Sequence, residues 1–142
     1  MTLPDPITRL LAARRLEQVP PDAVSARVRL DRAEEKLQAA RQIAAIDIDI
    51  AYVTAYDAAR IAVTAHMLSN GLRARAVARA HEAVGDYAEA MVHISSASEF
   101  HRMRRRRNKS EYDDIAIGRA DLDVDLQHAE AIVGAVRAVL GP

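Results

Sequence analysis

Apolar side chains recur at alternating spacings of three and four residues in three long segments of this chain. That spacing places them on one face of an α-helix, so each segment predicts a helix that buries one side along its length. The first stripe is Leu30, Ala33, Leu37, Ala40 and Ala44; the second is Val77, Ala80, Val84, Tyr87, Met91, Ile94 and Ser98; the third is Leu122, Leu126, Ala129, Val133, Val136 and Leu140. Such stripes must pack on one another, which favours a fold of helices on helices.

The segment between the first two stripes predicts another long helix, whose beginning is ambiguous. In the run IDIDI, residues 46–50, isoleucine alternates with aspartate, which is the period of a strand. We interpret the segment as helical, with either a brief break or no break before it, Asp47 or Asp49 as its cap, and Gly71 as the residue after its end. The helical spacing continues through Ile50, Val53, Ile61, Ala65 and Leu68.

The N-terminal part predicts a short helix that lies on the main body. Asp5 is a good N-cap, Pro6 fits the first helical position, and the helix is expected over residues 6–18, before two consecutive prolines. We therefore divide the chain into an N-terminal accessory helix, residues 1–21, and a helical bundle, residues 22–142. The predicted fold class is all-α, an up-down bundle of about four long antiparallel helices plus the short N-terminal helix.

Composition excludes several classes of function. The chain has no cysteine, which excludes disulfides and thiolate metal sites. Its five histidines are scattered, with no pair at helical metal-binding spacing, and no glycine-rich phosphate loop is present. No apolar run approaches the ~20 residues that span a bilayer, and the N-terminus does not resemble a secretory signal. We therefore expect a cytoplasmic protein without a metal, a cofactor or a membrane partner.

Positive charge is concentrated at one place in a chain that is neutral overall. There are 20 basic and 20 acidic side chains, yet the stretch HRMRRRRNKSEYDD, residues 101–114, holds five arginines. Guanidinium groups match phosphate oxygens and stay charged near neutral pH. On a helix, Arg104 and Arg107 share one face, whereas Arg102 and Arg106 share another, so the arginines cannot all bind one ligand. A solvated charged face is the alternative interpretation.

A short motif in this stretch resembles a known family. Arg107 and Asn108, followed by three residues and then Tyr112, come directly after the predicted third helix. The motif, with the order and length of the helices, resembles the HEPN superfamily (higher eukaryotes and prokaryotes nucleotide-binding domain) over roughly residues 27–140. The resemblance implies a homodimer in which the two motif segments meet near the twofold axis and form a cleft that cuts RNA without a metal.

The resemblance also implies roles for individual residues. Arg107 and Tyr112 are the expected catalytic residues, and Tyr112 stands where such families have a histidine. Cleavage through a 2′-hydroxyl needs a base with a pKa near the working pH; free histidine titrates at ~6.5 and tyrosine at ~10. Tyr112 is therefore better suited to positioning a phosphate than to accepting a proton. The expected substrate-binding residues are Arg104, Asn108, His101 and Asp113.

Three functions remain open at this point. The first is a bacterial HEPN-like protein that binds RNA or a nucleotide. In this case it would be a metal-independent ribonuclease, the toxin of a toxin–antitoxin or defence system, with a nucleotidyltransferase-like protein as the antitoxin. The second is a non-catalytic dimeric binding or adaptor module of the same fold. The third is a purely structural helical dimer, in which Arg107 and the other arginines pair with Asp113, Asp114 and acids of the partner. Tyr56 and His81 are interpreted as packing groups.

Overall fold

The computed structural model describes residues 2–142, which are mostly helical. Among them, no helix is both long and apolar enough to cross a lipid bilayer. A 3-10 helix, Ser95–Glu99, leads into the fifth α-helix. The α-helices are α1 (Asp5–Ala12), α2 (Ala23–Ile43), α3 (Ile48–Ser69), α4 (Ala80–Met91), α5 (Phe100–Tyr112) and α6 (Arg119–Leu140); the strands are β1 (Leu16–Gln18) and β2 (Leu72–Ala74).

Aspartate caps begin the two helices that follow one another at the start of the main body. The carboxylate of Asp22 accepts the backbone N–H of Ser25 at 2.9 Å and begins α2. The carboxylate of Asp47 accepts the N–H of Ile50 at 3.0 Å and begins α3. The ambiguous segment therefore contains a brief break, and Asp47 is the cap because its side chain satisfies an otherwise free donor of the first turn.

Helix α3 lies at the centre of the molecule, where it contacts α2, α4, α5 and α6. Small buried side chains line it, so neighbouring backbones can approach closely on several sides. Larger buried groups, among them Tyr56, Tyr87 and Phe100, fill the space towards α4 and α5. The fully buried alanines of α3 are Ala51, Ala55, Ala58, Ala59, Ala62 and Ala65.

A short two-stranded ribbon departs from the predicted all-α fold. Helix α1 ends at Ala12 and not at residue 18, because Arg14 adopts a left-handed conformation with φ 59°. Strand β1 then pairs antiparallel with β2, and Leu16 lies opposite Ala74. Three-residue strands are too short to show a period in the sequence, so the apolar pattern did not reveal them. Gly71, with φ 71°, follows α3 as predicted.

The predicted third helix is in fact two α-helices with a break between them. Helix α4 ends at Met91, the backbone of Val92 is extended, and the 3-10 helix follows before α5 begins at Phe100. The prediction of one helix running into the arginines is wrong. The break contains three serines, whose hydroxyls compete for backbone hydrogen bonds, and Ser98 donates to the carbonyl of Ser95 at 2.7 Å. The change of direction lets α5 pack against both α3 and α4.

Candidate functional site

The arginines of α5 are divided between two sides of the helix, as helical geometry predicts. On the side that meets α6, Arg102 donates through Nη1 to Oδ2 of Asp125 at 3.0 Å. Arg106 donates to the same oxygen at 2.8 Å, and the hydroxyl of Tyr52 donates to it at 2.6 Å. These side chains connect α3, α5 and α6 through one carboxylate.

Asp125 is a buried charge that its partners hold in the ionised form. Its exposed fraction is 1%, and burial alone raises a carboxyl pKa. The hydrogen bonds from Arg102 and Tyr52 and the charges of Arg102 and Arg106 outweigh that effect, so the pKa of Asp125 lies below its ordinary value. Arg102 and Arg106 are thus engaged in a structural network and have little capacity left for a ligand.

The other side of α5 carries Arg104 and Arg107, and Arg60 of α3 is close enough to Tyr56 and His81 to act on both of them together with these two arginines. We call Arg60, Arg104 and Arg107 the arginine cluster. Their contacts with acids are loose: Arg60 Nε lies 3.7 Å from Asp57, and Arg104 Nη2 lies 3.8 Å from Glu82. Within the described part of the chain, none of the three makes a hydrogen bond to a carboxylate, as Arg102 and Arg106 do with Asp125.

Arg107 has the same loosely held character. Its Nη1 lies 3.2 Å from Oε2 of Glu111 and donates to Oδ1 of Asn108 at 3.3 Å. The structural alternative, in which Arg107 pairs with Asp113 or Asp114, is not what the structure shows. Glu111 is one helical turn from Arg107, which brings its carboxylate closer than residues beyond the end of α5.

Each guanidinium of the arginine cluster has a buried nitrogen without an acceptor. The Nε atoms of Arg60, Arg104 and Arg107 are buried and have no hydrogen-bond partner among residues 2–142. Buried donors without acceptors are rare in native proteins, because each one loses its bond with water and gains nothing in exchange. The cluster therefore combines positive charge with donor capacity that the described part of the chain leaves unused.

A tyrosine and a histidine lie beside this cluster. The hydroxyl of Tyr56 and Nδ1 of His81 are 3.2 Å apart. Burial raises the pKa of Tyr56 to about 12, although Arg60 and Arg104 act in the opposite direction. Burial, followed by the charges of Arg60 and Arg107, lowers the pKa of His81 below its usual 6.5. Both groups are therefore neutral at pH 7, and His81 remains partly exposed.

The other residues predicted for the site lie at different places along α5. His101 contacts Asp86 of α4, with Nε2 and Oδ1 2.8 Å apart, and its ring packs against Gly85. Tyr112, at the end of α5, is 75% exposed, and its hydroxyl makes no hydrogen bond to the residues that the structure describes. Asp113 follows it as an exposed residue. Of the predicted set, the structure groups Arg104, Arg107 and Asn108 at the candidate site. His101 lines a cavity of about 460 Å³ together with Arg104, whereas Tyr112 and Asp113 lie at the end of α5.

Three residues of the candidate site were not predicted as site residues. Arg60 was not singled out, and Tyr56 and His81 were interpreted as packing groups. Tyr56 and Arg60 are four residues apart, so they share a face of α3. That spacing was the only signal available, and it resembles ordinary packing of an aromatic beside a charge. His81 belongs to a different helix, and only the packing of α4 against α3 brings it to Tyr56.

A second basic surface lies on the α6 side of α5. A cavity of about 240 Å³ is lined there by Arg102, Arg105, Arg106 and Lys109, together with the segment that leads to α6. Arg105 and Lys109 are exposed. Positive charge is therefore available on both sides of α5, although within residues 2–142 only the cluster side has buried donors without acceptors.

Comparison of the chain with protein-family models, with curated proteins and with solved structures finds no match. The resemblance to the HEPN superfamily thus depends on the motif of Arg107, Asn108 and Tyr112 and on the order of the helices. The function has to be argued from the site itself.

Proposed function

We propose that this protein binds the phosphate groups of RNA or of a nucleotide at the arginine cluster. The observation that carries the proposal is that three neighbouring guanidinium groups, Arg60, Arg104 and Arg107, each keep a buried donor without an acceptor. Phosphate oxygens accept hydrogen bonds from guanidinium groups in bidentate geometry and compensate their charge.

The surroundings of the cluster favour a polymeric ligand. Arg105 lines one cavity with Arg104 and, on the α6 side, lines the cavity of about 240 Å³ with Lys109, so the positive surface continues around α5 from the cluster. Exposed basic residues of this kind contact successive phosphates of a nucleic-acid backbone and add affinity that depends on salt. We therefore favour single-stranded RNA over a free nucleotide as the ligand.

The same proposal includes the finer features that the resemblance implies. The long helices would form an up-down bundle of the HEPN type, and two chains would associate so that their α5 helices meet. In its catalytic version, the protein is a metal-independent ribonuclease, a toxin restrained by a nucleotidyltransferase-like antitoxin in a bacterial cytoplasm. In its alternative version, it is a dimeric binding or adaptor module without turnover. The neutral His81 beside the cluster favours the catalytic version.

The binding proposal is tested by replacing Arg107 with glutamine. Loss of one charge-assisted contact, ~1.5 kcal/mol or more, is expected to weaken binding of single-stranded RNA roughly tenfold. The logarithmic dependence of binding on salt should also become shallower by about one unit. Fluorescence anisotropy with labelled RNA at several salt concentrations measures both quantities.

The matched control for this experiment is Arg32→Gln. Arg32 is an exposed arginine of α2 and lies outside the cluster, so its replacement changes the net charge equally. Circular dichroism establishes that both variants are folded. If Arg107→Gln binds RNA as tightly as Arg32→Gln does, or if the unaltered protein does not bind RNA, the arginine cluster is not a phosphate site.

A further inference from the structure

The predicted motif supplies no proton acceptor next to the arginine cluster. The structure places a histidine from another helix, His81, beside the cluster. Tyr112 is 75% exposed at the end of α5, and its hydroxyl makes no hydrogen bond to the residues that the structure describes. Nε2 of His101 is already in contact with the carboxylate of Asp86. His81 is next to the charges of Arg60, Arg104 and Arg107, in a different helix from the motif.

The contact with Tyr56 determines what His81 can do. The tyrosine hydroxyl is neutral, because burial raises its pKa to about 12, and its oxygen can accept a hydrogen bond from Nδ1–H. When Nδ1 donates to Tyr56, the lone pair of the neutral imidazole is on Nε2. Nε2 makes no hydrogen bond within the described part of the chain. His81 is also partly exposed, so this nitrogen is available to a bound molecule.

We propose that His81 is the proton acceptor of an RNA-cleaving site at the arginine cluster, and that Tyr56 is the residue that positions its ring. This inference rests on the proposed binding of RNA phosphates by Arg60, Arg104 and Arg107. It assigns the base to α4, outside the stretch of residues 101–114 in which the motif predicts it. It also gives Tyr112 no role as a base.

The reaction is an internal transfer of the phosphoryl group. The proton of a ribose 2′-hydroxyl moves to Nε2 of His81 as the 2′-oxygen forms a bond to the adjacent phosphorus. The bond from phosphorus to the 5′-oxygen breaks, and its electron pair remains on that oxygen, which takes a proton from water. The products are a 2′,3′-cyclic phosphate and a 5′-hydroxyl, and the proton on His81 passes to the hydroxide left by that water. The arginines stabilise the charge that develops on the phosphoryl oxygens.

The charges around His81 keep it unprotonated at neutral pH. Arg60 of α3 and Arg104 and Arg107 of α5 disfavour the imidazolium, as burial does, whereas Asp57 favours it. Glu82 is on the same helix as His81. Its carboxylate accepts a hydrogen bond from Arg79 and lies 3.8 Å from Nη2 of Arg104. Because these effects together lower the pKa of His81 below 6.5, cleavage should lose rate only when the pH falls below that value.

The experiment compares His81→Gln with His93→Gln, since His93 is an exposed histidine away from the cluster. The probes are a mixed-sequence single-stranded RNA and the same strand with 2′-deoxyribose, in the presence of a metal chelator. We expect His81→Gln to bind RNA like the control and to cleave it at least roughly a hundredfold more slowly. The deoxy strand should be bound and left intact. Tyr56→Phe should reduce the cleavage rate and move the acidic limb of the pH–rate profile, with unchanged RNA affinity.

Failure of this inference differs from failure of the proposed function. If His81→Gln cleaves as fast as His93→Gln, or if the unaltered protein binds RNA and leaves it intact, His81 is not a catalytic residue and the binding proposal stands. If the unaltered protein does not bind RNA, both are wrong. If His81→Gln does not fold, cleavage of RNA by the unaltered protein and the pH dependence of that cleavage still decide the question. A cleavage rate that stays constant as the pH is lowered to the limit at which the protein remains folded overturns a histidine base.

Discussion

Asp125 shows how a single residue determines which arginines of α5 are available. Its buried carboxylate, on α6, takes hydrogen bonds from Arg102 and Arg106 of α5 and from Tyr52 of α3, so it links three helices. A buried carboxylate needs such partners, because an unpaired charge in a protein interior costs several kcal/mol. Two arginines are thereby used for structure, and those on the opposite side of α5 remain for a ligand.

Asp125→Asn should therefore destabilise the fold while leaving the arginine cluster in place. The amide removes the negative charge and leaves two guanidinium groups near a buried neutral group, so we expect a loss on the order of 3 kcal/mol. Denaturant unfolding measures this loss, and Asp123→Asn, an exposed neighbour on α6, is the control. Equal stability of the two variants would show that the network contributes nothing to the fold.

Helices α4 and α5 contact each other through a glycine and a histidine. The ring of His101 lies so close to Gly85 that an added Cβ would be 2.5 Å from its Cε1 atom. Asp86 holds the same ring from the side, with a distance of 2.8 Å to Nε2. His101, predicted as a substrate-binding residue, is thus part of the packing that holds α5 against α4.

Two glycine-to-alanine variants should change stability in opposite directions. Gly134→Ala, in α6, has nothing within 4 Å of the new Cβ, so the better helix propensity of alanine should stabilise by about 0.5–1 kcal/mol. Gly85→Ala must displace the ring of His101, and we expect a net loss of stability in spite of the same gain in propensity. Thermal unfolding of both variants measures the difference, and a stabilised Gly85→Ala would contradict the close packing.

At the scale of the whole molecule, neutral histidines make the fold sensitive to acid. The buried ring of His66 contacts the hydroxyl of Tyr87, with Nδ1 and Oη 2.6 Å apart. Burial, followed by the charge of His93, lowers the pKa of His66 below 6.5, and His81 is shifted in the same direction. In the unfolded chain both rings titrate near ~6.5, so the unfolded state takes up protons before the folded state does.

The free energy of unfolding should therefore decrease as the pH falls through about 6.5, where the unfolded chain begins to gain protons that the folded chain does not bind. Above that pH both states carry neutral rings and the contribution is complete. Denaturant unfolding at pH 7.5 and at pH 5.5, both flanking ~6.5, measures the change. In His66→Gln the decrease should be smaller. A decrease of equal size in that variant would show that His66 does not contribute.

The sequence by itself determined that the chain is mostly helical, and it determined where some helices begin and end. Local rules decide these features, since apolar spacing selects a helix, an aspartate such as Asp47 satisfies the free donors of its first turn, and Gly71 tolerates a left-handed conformation. Helical geometry also predicted correctly that Arg104 and Arg107 lie on a different side of α5 from Arg102 and Arg106.

Only the tertiary structure decided which arginines are occupied and what lies beside the others. Asp125 is 23 residues from Arg102, and Tyr56 is 25 residues from His81, so no local pattern connects them. The break between α4 and α5 depends on where each helix packs, which is why the continuous stripe from Val77 to Ser98 was misleading. Burial and pairing are properties of contacts between distant segments. They leave Arg60, Arg104 and Arg107 with free donors and bring His81 beside them.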